Sequence, residues 1–207
     1  MKQFTEEFRT KLYDTINEIE NNSLVEVVVL IKPQSGSYKD IPLWAGVIFS
    51  FLLYTFFMFA PIDFNVFLIY AFTILGFLAI YTLISAMPEL ISKAIPKKRK
   101  ERNVEIFARA LFQKGGIRFT NQRIGTLIYF SLFEKQAYVL PDRGAQTAVP
   151  AEEWEKINAQ FQSVFSATDV AGAILSALAS CKPVFSTYIP PIENDINELP
   201  DDLDVEL

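Results

Sequence analysis

Histidine is missing from this sequence, and with it go most routes to nucleophilic catalysis. Ser-His-Asp and Cys-His pairs, histidine-held metals and phosphohistidine relays all require an imidazole. No Gly-x-Gly-x-x-Gly fingerprint and no Gly-x4-Gly-Lys-[Ser/Thr] loop offers backbone N–H groups to a nucleotide phosphate. The single cysteine, Cys181, falls at an apolar position of an expected helix, so it reads as a buried structural thiol. Asp202-Leu203-Asp204 lies in an acidic tail and not at a strand end, which disfavours a phosphoryl-transfer pair. No catalytic residue is assigned. Two carboxylates remain. Asp142, in Pro141-Asp142-Arg143-Gly144, follows an apolar strand and so sits at the sheet rim where open α/β folds place ligands. An oxygen donor there suits a hard cation, Ca2+ or Mg2+. The same four residues also spell a turn whose aspartate bonds its own backbone. Glu26 is the other acid, near the start of a strand apolar on both faces. It either pairs with Arg118 or Arg123 or shares a metal site with Asp142.

The elements that must position these groups can be read from periodicity. Phe4, Phe8, Leu12, Ile16 and Ile19 recur at helical spacing, with Thr5 placed to cap and Glu6 and Glu7 in the first turn. Ser23 to Ile31 is a β-branched run apolar on both faces, which is how a strand covered on both sides reads. It needs partners, and none exist in the first 42 residues. They are expected at Ile124 to Leu132 and Gln136 to Leu140, a hairpin joined through the polar pair Glu134-Lys135. Val104, Phe107, Ala108 and Leu111 mark a helix ending at Gly115-Gly116, where glycine takes the left-handed cap. Trp154, Ile157, Phe161 and Val164 mark another, opened by Pro150, Glu152 and Glu153. A last helix carries Val170, Ile174, Leu178 and Cys181 and is expected to stop before Pro183. The predicted fold class is α/β, a three-layer α/β/α sandwich with a small mixed sheet, interrupted by a two-helix transmembrane hairpin.

That hairpin is the strongest pattern in the chain. Leu43 to Ala60 and Val66 to Met87 carry no charge. At 1.5 Å per residue they make helices of roughly 27 and 33 Å, long enough to cross a bilayer. They are apolar all round, without the stripe of a soluble core helix. Pro61-Ile62-Asp63-Phe64-Asn65 supplies the turn. With no ionisable group inside either span, a transporter or pump is disfavoured. Gly46 and Ser50, four apart, form a small-residue pair that lets helices approach. Lys93, Lys97, Lys98, Arg99, Lys100 and Arg102 follow the second span, Lys32 and Lys39 precede the first, and the turn has only Asp63. The positive-inside rule then puts both soluble parts, and both termini, in the cytoplasm. Beside a span, the run Lys97, Lys98, Arg99 and Lys100 reads as a contact with lipid headgroups and not with nucleic acid. The first residues lack an apolar run behind a basic head, so no cleavable signal peptide is expected. The organisation predicted is one discontinuous domain, 1–41 with 97–190, spans at 43–60 and 66–87, and an acidic tail at 191–207. That tail holds seven acids from Glu193 onward and no basic residue, and it accounts for the net charge of −5. Ile196 and Leu199 are its expected anchors on the domain.

The segment Gly116-Ile117-Arg118-Phe119-Thr120-Asn121-Gln122-Arg123-Ile124-Gly125-Thr126-Leu127-Ile128-Tyr129-Phe130-Ser131-Leu132, then Tyr138 to Gly144, then Val149 to Trp154, resembles the TPM-domain family. That family joins plant thylakoid-lumen and photosystem II repair proteins, a nematode receptor-accessory membrane protein and many bacterial proteins. Val25 to Val29 and Asn197 to Asp201 add to the likeness, which points to a bacterial branch whose domain is interrupted by two spans. The resemblance implies a bacterial inner (plasma) membrane location. It also implies two functions: a non-catalytic accessory module partnering another membrane protein during assembly or maintenance of a complex, and a weak divalent-cation-dependent acid phosphatase. With only scattered carboxylates available, the accessory role is the expectation and the phosphatase the alternative.

Overall fold

The computed structural model describes residues 3–120 and 122–192, so the expected anchors Ile196 and Leu199 lie outside the described residues. The chain divides into two units: residues 36–99 form one, and the residues on either side of them form the other.

In the larger unit the first helix, α1 (Glu6–Glu20), starts where Thr5 accepts from the Phe8 N–H, and it buries Phe8, Leu12, Ile16 and Ile19. Strand β1 (Glu26–Lys32) follows, three residues later than the apolar run suggests, because Ser23 and Leu24 are spent ending the helix and turning. Strands β2 (Gly125–Ser131) and β3 (Gln136–Pro141) complete one sheet of order β1-β2-β3. β1 runs parallel to β2, with Val28 opposite Leu127, and β2 runs antiparallel to β3, with Leu127 opposite Leu140. Residues before and after the insertion therefore share a single mixed sheet.

Both faces of that sheet are covered. Val27, Val29, Ile31, Ile128, Phe130 and Val139 belong to a core shared with α1 and the two C-terminal helices. Leu30, Leu127 and Tyr129 belong to a second core with Val104, Ala108, Phe112 and Ile117.

The unit 36–99 holds α2 (Asp40–Phe59), α3 (Val66–Ser85) and a short α4 (Pro88–Ala94) that periodicity did not show. Asn65 caps α3 by accepting from the Phe67 N–H at 2.9 Å. The predicted small-residue pair closes the hairpin on itself: Gly46 lies against Phe77, and the Ser50 hydroxyl donates to the Thr73 carbonyl at 3.2 Å. Gly76 answers from α3, lying against Leu53 and Phe49. No residue of α3 is buried.

Then come α5 (Lys97–Lys114), α6 (Arg143–Ala148), α7 (Ala151–Ser163) and α8 (Val170–Tyr188). α5 is longer at its start than expected, taking the basic run into its first turn, and it ends with Gly116 at φ +71°. α8 corrects the sequence reading, since it runs through Pro183 instead of stopping there. An interior proline costs a helix about 3 kcal/mol. Beyond it, Phe185 is fully buried against Trp154, with ring centroids 5.8 Å apart, and Ile189 is buried too. Burying two such side chains offsets that cost at about 1.5–3 kcal/mol each. The carbonyl of Ile189 also accepts from the Leu24 N–H at 3.1 Å, fixing the approach to β1. By length and composition α2, α3 and α8 could each cross a membrane, yet α8 buries Ala171, Ile174, Ala177, Leu178, Cys181 and Phe185. Cys181 is the buried thiol expected, its pKa pushed up to about 12 by desolvation.

Candidate functional site

The two ends of the sheet carry the polar groups. At the end where β1 and β2 begin, the parallel register sets Glu26 beside Gly125, and the Asp142 N–H donates to the Gly125 carbonyl at 2.8 Å. Glu26, Gly125 and Asp142 thus form one row. Two-residue alternation puts that row on the face that carries Leu30, Leu127 and Tyr129. Two strand spacings separate the acids by roughly 10 Å at the backbone. Gly125 has no side chain for a reason: a Cβ there would collide with the Ile117 carbonyl and side chain. The Ile117 backbone therefore stands over the row between the two acids.

Two of the segments that carry the family resemblance, the one from Gly116 and Tyr138 to Gly144, meet here. Thr120 is buried, and its hydroxyl accepts from the N–H groups of Ile124 at 3.1 Å and Gly125 at 3.3 Å. Arg123 takes φ +54°, which turns its carbonyl to accept from the N–H groups of Gly144 at 2.8 Å and Ala145 at 3.3 Å. Gly144 tolerates this because a Cβ would strike the Gln122 and Arg123 carbonyls. Asp142 stands at the sheet rim and bonds the backbone that follows it, as the turn reading expects. As N-cap of α6 its Oδ1 accepts from the Arg143 N–H at 2.7 Å. Its Oδ2 is buried with no hydrogen-bond partner among the described residues. Neither arginine proposed for Glu26 is its partner: Arg118 donates to Gln113 at 2.8 Å and stacks over Phe119 at 4.8 Å, while Arg123 serves through its backbone.

Oxygen donors at this end suit Ca2+ or Mg2+ in kind, since hard cations take carboxylates, carbonyls and water. In number they fall short. Among the described residues no three of His, Cys, Asp and Glu cluster, and Ile117 stands between the two acids on the row.

The opposite end was not foreseen. The chain leaves β1 through Pro33, whose carbonyl accepts from Phe133, and Ser35 then donates its N–H to both oxygens of Glu134 at 3.1 and 3.2 Å. The Ser35 hydroxyl donates to Ser131 at 2.7 Å, and Ser131 donates to Glu134 at 2.5 Å. Tyr129 lies 2.7 Å from the Ser35 oxygen. The only proton on that serine hydroxyl goes to Ser131, so the tyrosine must be the donor. Burial raises the pKa of the Tyr129 phenol and keeps it protonated for that task. Every hydroxyl points one way, from Tyr129 through two serines to the carboxylate. Glu134, read from sequence as half of a polar turn, is 2% exposed. Its signal was faint: a glutamate directly after Ser131-Leu132-Phe133, followed by Lys135, which takes φ +51°.

Of the proposed lipid contacts, Lys97, Lys98, Arg99 and Lys100 all fall in the first turn of α5. A positive charge there opposes the helix dipole. Arg99 is matched by a bidentate pair with Asp40, at 2.7 and 2.8 Å, and lies over the Tyr38 ring at 5.1 Å. The guanidinium lowers the pKa of Asp40. Lys98 is exposed.

Residues 90–183 match the family described as the TPM domain. This part of the chain is similar to a TPM domain. The match begins within α4 and ends at Pro183 in α8, so it contains the three motif segments between Gly116 and Trp154 and omits α1 and β1. A solved structure similar to this chain is the NMR structure of BA42 protein from the psychrophilic bacterium Bizionia argentinensis. Its TM-score is 0.58 at 16% sequence identity, and the alignment covers 96% of this chain and 92% of that one. At that identity the likeness is one of fold alone. No curated protein matches the chain.

Proposed function

We propose that the chain is a membrane-anchored accessory module, in which residues 43–60 and 66–87 cross a bacterial inner membrane and the TPM domain serves another membrane protein from the cytoplasmic side. The observation that carries this reading is the surface of α2 and α3. Trp44, Phe51, Phe59 and Phe67 are 62, 67, 85 and 82% exposed, a cost no aqueous surface would leave uncovered. Lipid removes that cost, and the basic excess after the second span sets both termini inside. Lys98, with its neighbours in the run, lies where anionic headgroups attract a cation.

Cysteine labelling tests the topology. In a Cys181→Ser background, a cysteine replacing Asp63 labels from outside intact cells and one replacing Gln3 does not; external labelling at position 3 would overturn the reading.

A second reading, cation-dependent phosphate hydrolysis, is favoured by one observation, the partnerless Oδ2 of Asp142. Phosphate release from a simple phosphomonoester with Ca2+ or Mg2+ separates the two. The accessory reading expects none from the wild type, whereas release abolished by Asp142→Asn would favour the enzyme.

A further inference from the structure

At the turn of the helical hairpin, α2 and α3 part to leave a cavity of about 580 Å3. Its wall includes Tyr54, Phe57, Phe64 and Tyr70, with Thr73 deeper between the helices and Asp63 at the turn. Phe57 and Phe64 hold one another edge to face at 5.0 Å, which fixes part of that wall. Asp63 is the only charged residue between Asp40 and Glu89, is exposed, and has no ion-pair partner among the described residues. Four aromatic rings and one uncompensated carboxylate make a site of definite chemistry. Ring faces attract cations through their quadrupole, organic ammonium groups above all, and a carboxylate adds direct charge complementarity. A metal ion would find a single acid and no second oxygen ligand of the same charge. The volume falls within the usual range for small-molecule sites and exceeds what a bare ammonium needs.

We infer that this cavity binds the ammonium headgroup of a zwitterionic phospholipid in the leaflet opposite the TPM domain. The inference rests on the membrane reading above, which puts the turn at headgroup depth. Tyrosines are at home at that depth, with the ring in the apolar layer and the hydroxyl in water. The ammonium sits against the rings with Asp63 beside it, and the glycerol and first methylenes meet Met58, Val66 and Ile69. An anionic headgroup would instead bring its charge against Asp63.

The test uses the full chain in a mild non-ionic detergent with dihexanoyl lipids, titrated by native mass spectrometry. Dihexanoylphosphatidylethanolamine is expected to bind roughly tenfold more tightly than the phosphatidylglycerol of equal chain length. Asp63→Asn narrows the difference between the two lipids, Asp63→Glu restores it, and Tyr70→Leu weakens it. Free ethanolamine binds more weakly than the lipid; equal binding would overturn the lipid assignment. Equal affinity for both lipids in the wild type, or a preference untouched by Asp63→Asn, would overturn the site. Circular dichroism of each variant confirms that the helices persist. Alkaline extraction of membranes keeps the failures apart. A wild-type chain that resists extraction but shows no lipid preference sinks this inference alone, whereas one released by alkali sinks the membrane reading beneath it.

Discussion

The two ends of the sheet treat their carboxylates in opposite ways. Around Glu134, two donors from Ser35 and Ser131 converge on the oxygens, and a third hydroxyl stands behind them. Around Asp142, one oxygen caps a helix and the other meets nothing among the described residues. A carboxylate wrapped in donors is committed to holding the fold, because removing it strands every donor at once. A carboxylate with an idle buried oxygen carries a cost that the fold itself does not recover.

Glu134→Ala is the strongest way to break this contrast. It leaves the Ser35 N–H and the Ser131 hydroxyl unanswered in a buried site, which should cost about 3 kcal/mol in chemical denaturation of the full chain. A loss no larger than that of the milder change below would show that water reaches these groups. That milder change is Tyr129→Phe, which removes a single donor at the far end of the relay and should cost about 1 kcal/mol. At the other end, Asp142→Ala loses the α6 cap and should cost up to about 1 kcal/mol. Asp142→Asn keeps an oxygen acceptor and should change stability by less than about 0.5 kcal/mol. If Asp142→Asn proves as damaging as Glu134→Ala, the two ends do not differ in kind. The smallest effect lies just past Ser35 in sequence, at Asp40. Arg99 depresses its pKa, so the pair stabilises above the ordinary value of 3.8 and the contribution disappears as pH falls through the lowered value. The stability gap between wild type and Arg99→Gln should therefore close on acidification. Side chains 37 and 43% exposed keep that gap small and salt-sensitive.

What the sequence made legible was whatever repeats or alternates. Phe8 to Ile19, the two-faced β1, the β2–β3 hairpin and the two apolar helices all announce themselves through spacing, and each stands within a few residues of its expected place. Pro183 misled because propensity speaks for one residue, while Phe185 and Ile189 are buried by partners far along the chain. Asp142 was visible as a rim residue, but its idle oxygen depends on the turn at Arg123 and the approach of Gly144, which are tertiary events. Ser35 and Glu134 were invisible for the same reason. Gln34-Ser35-Gly36-Ser37 looks like a linker, and only the pairing of Ser131 with Lys32 draws it over the glutamate.

The place of the insertion sets a timetable for synthesis. β1 and its parallel neighbour lie on opposite sides of the helical hairpin, and Ser35 precedes its acceptor Glu134 by 99 residues. At about 5–20 residues per second, a ribosome needs roughly 5 to 20 seconds to deliver that partner. Through that interval a strand destined for burial on both faces is already outside the ribosome without its neighbour. The hairpin between them, residues 43–87, is completed first, before β2 exists. Any mutation that delays settling of the hairpin prolongs exposure of Val27, Val29 and Ile31, and the resulting defect would be aggregation during translation even where the finished protein is fully stable.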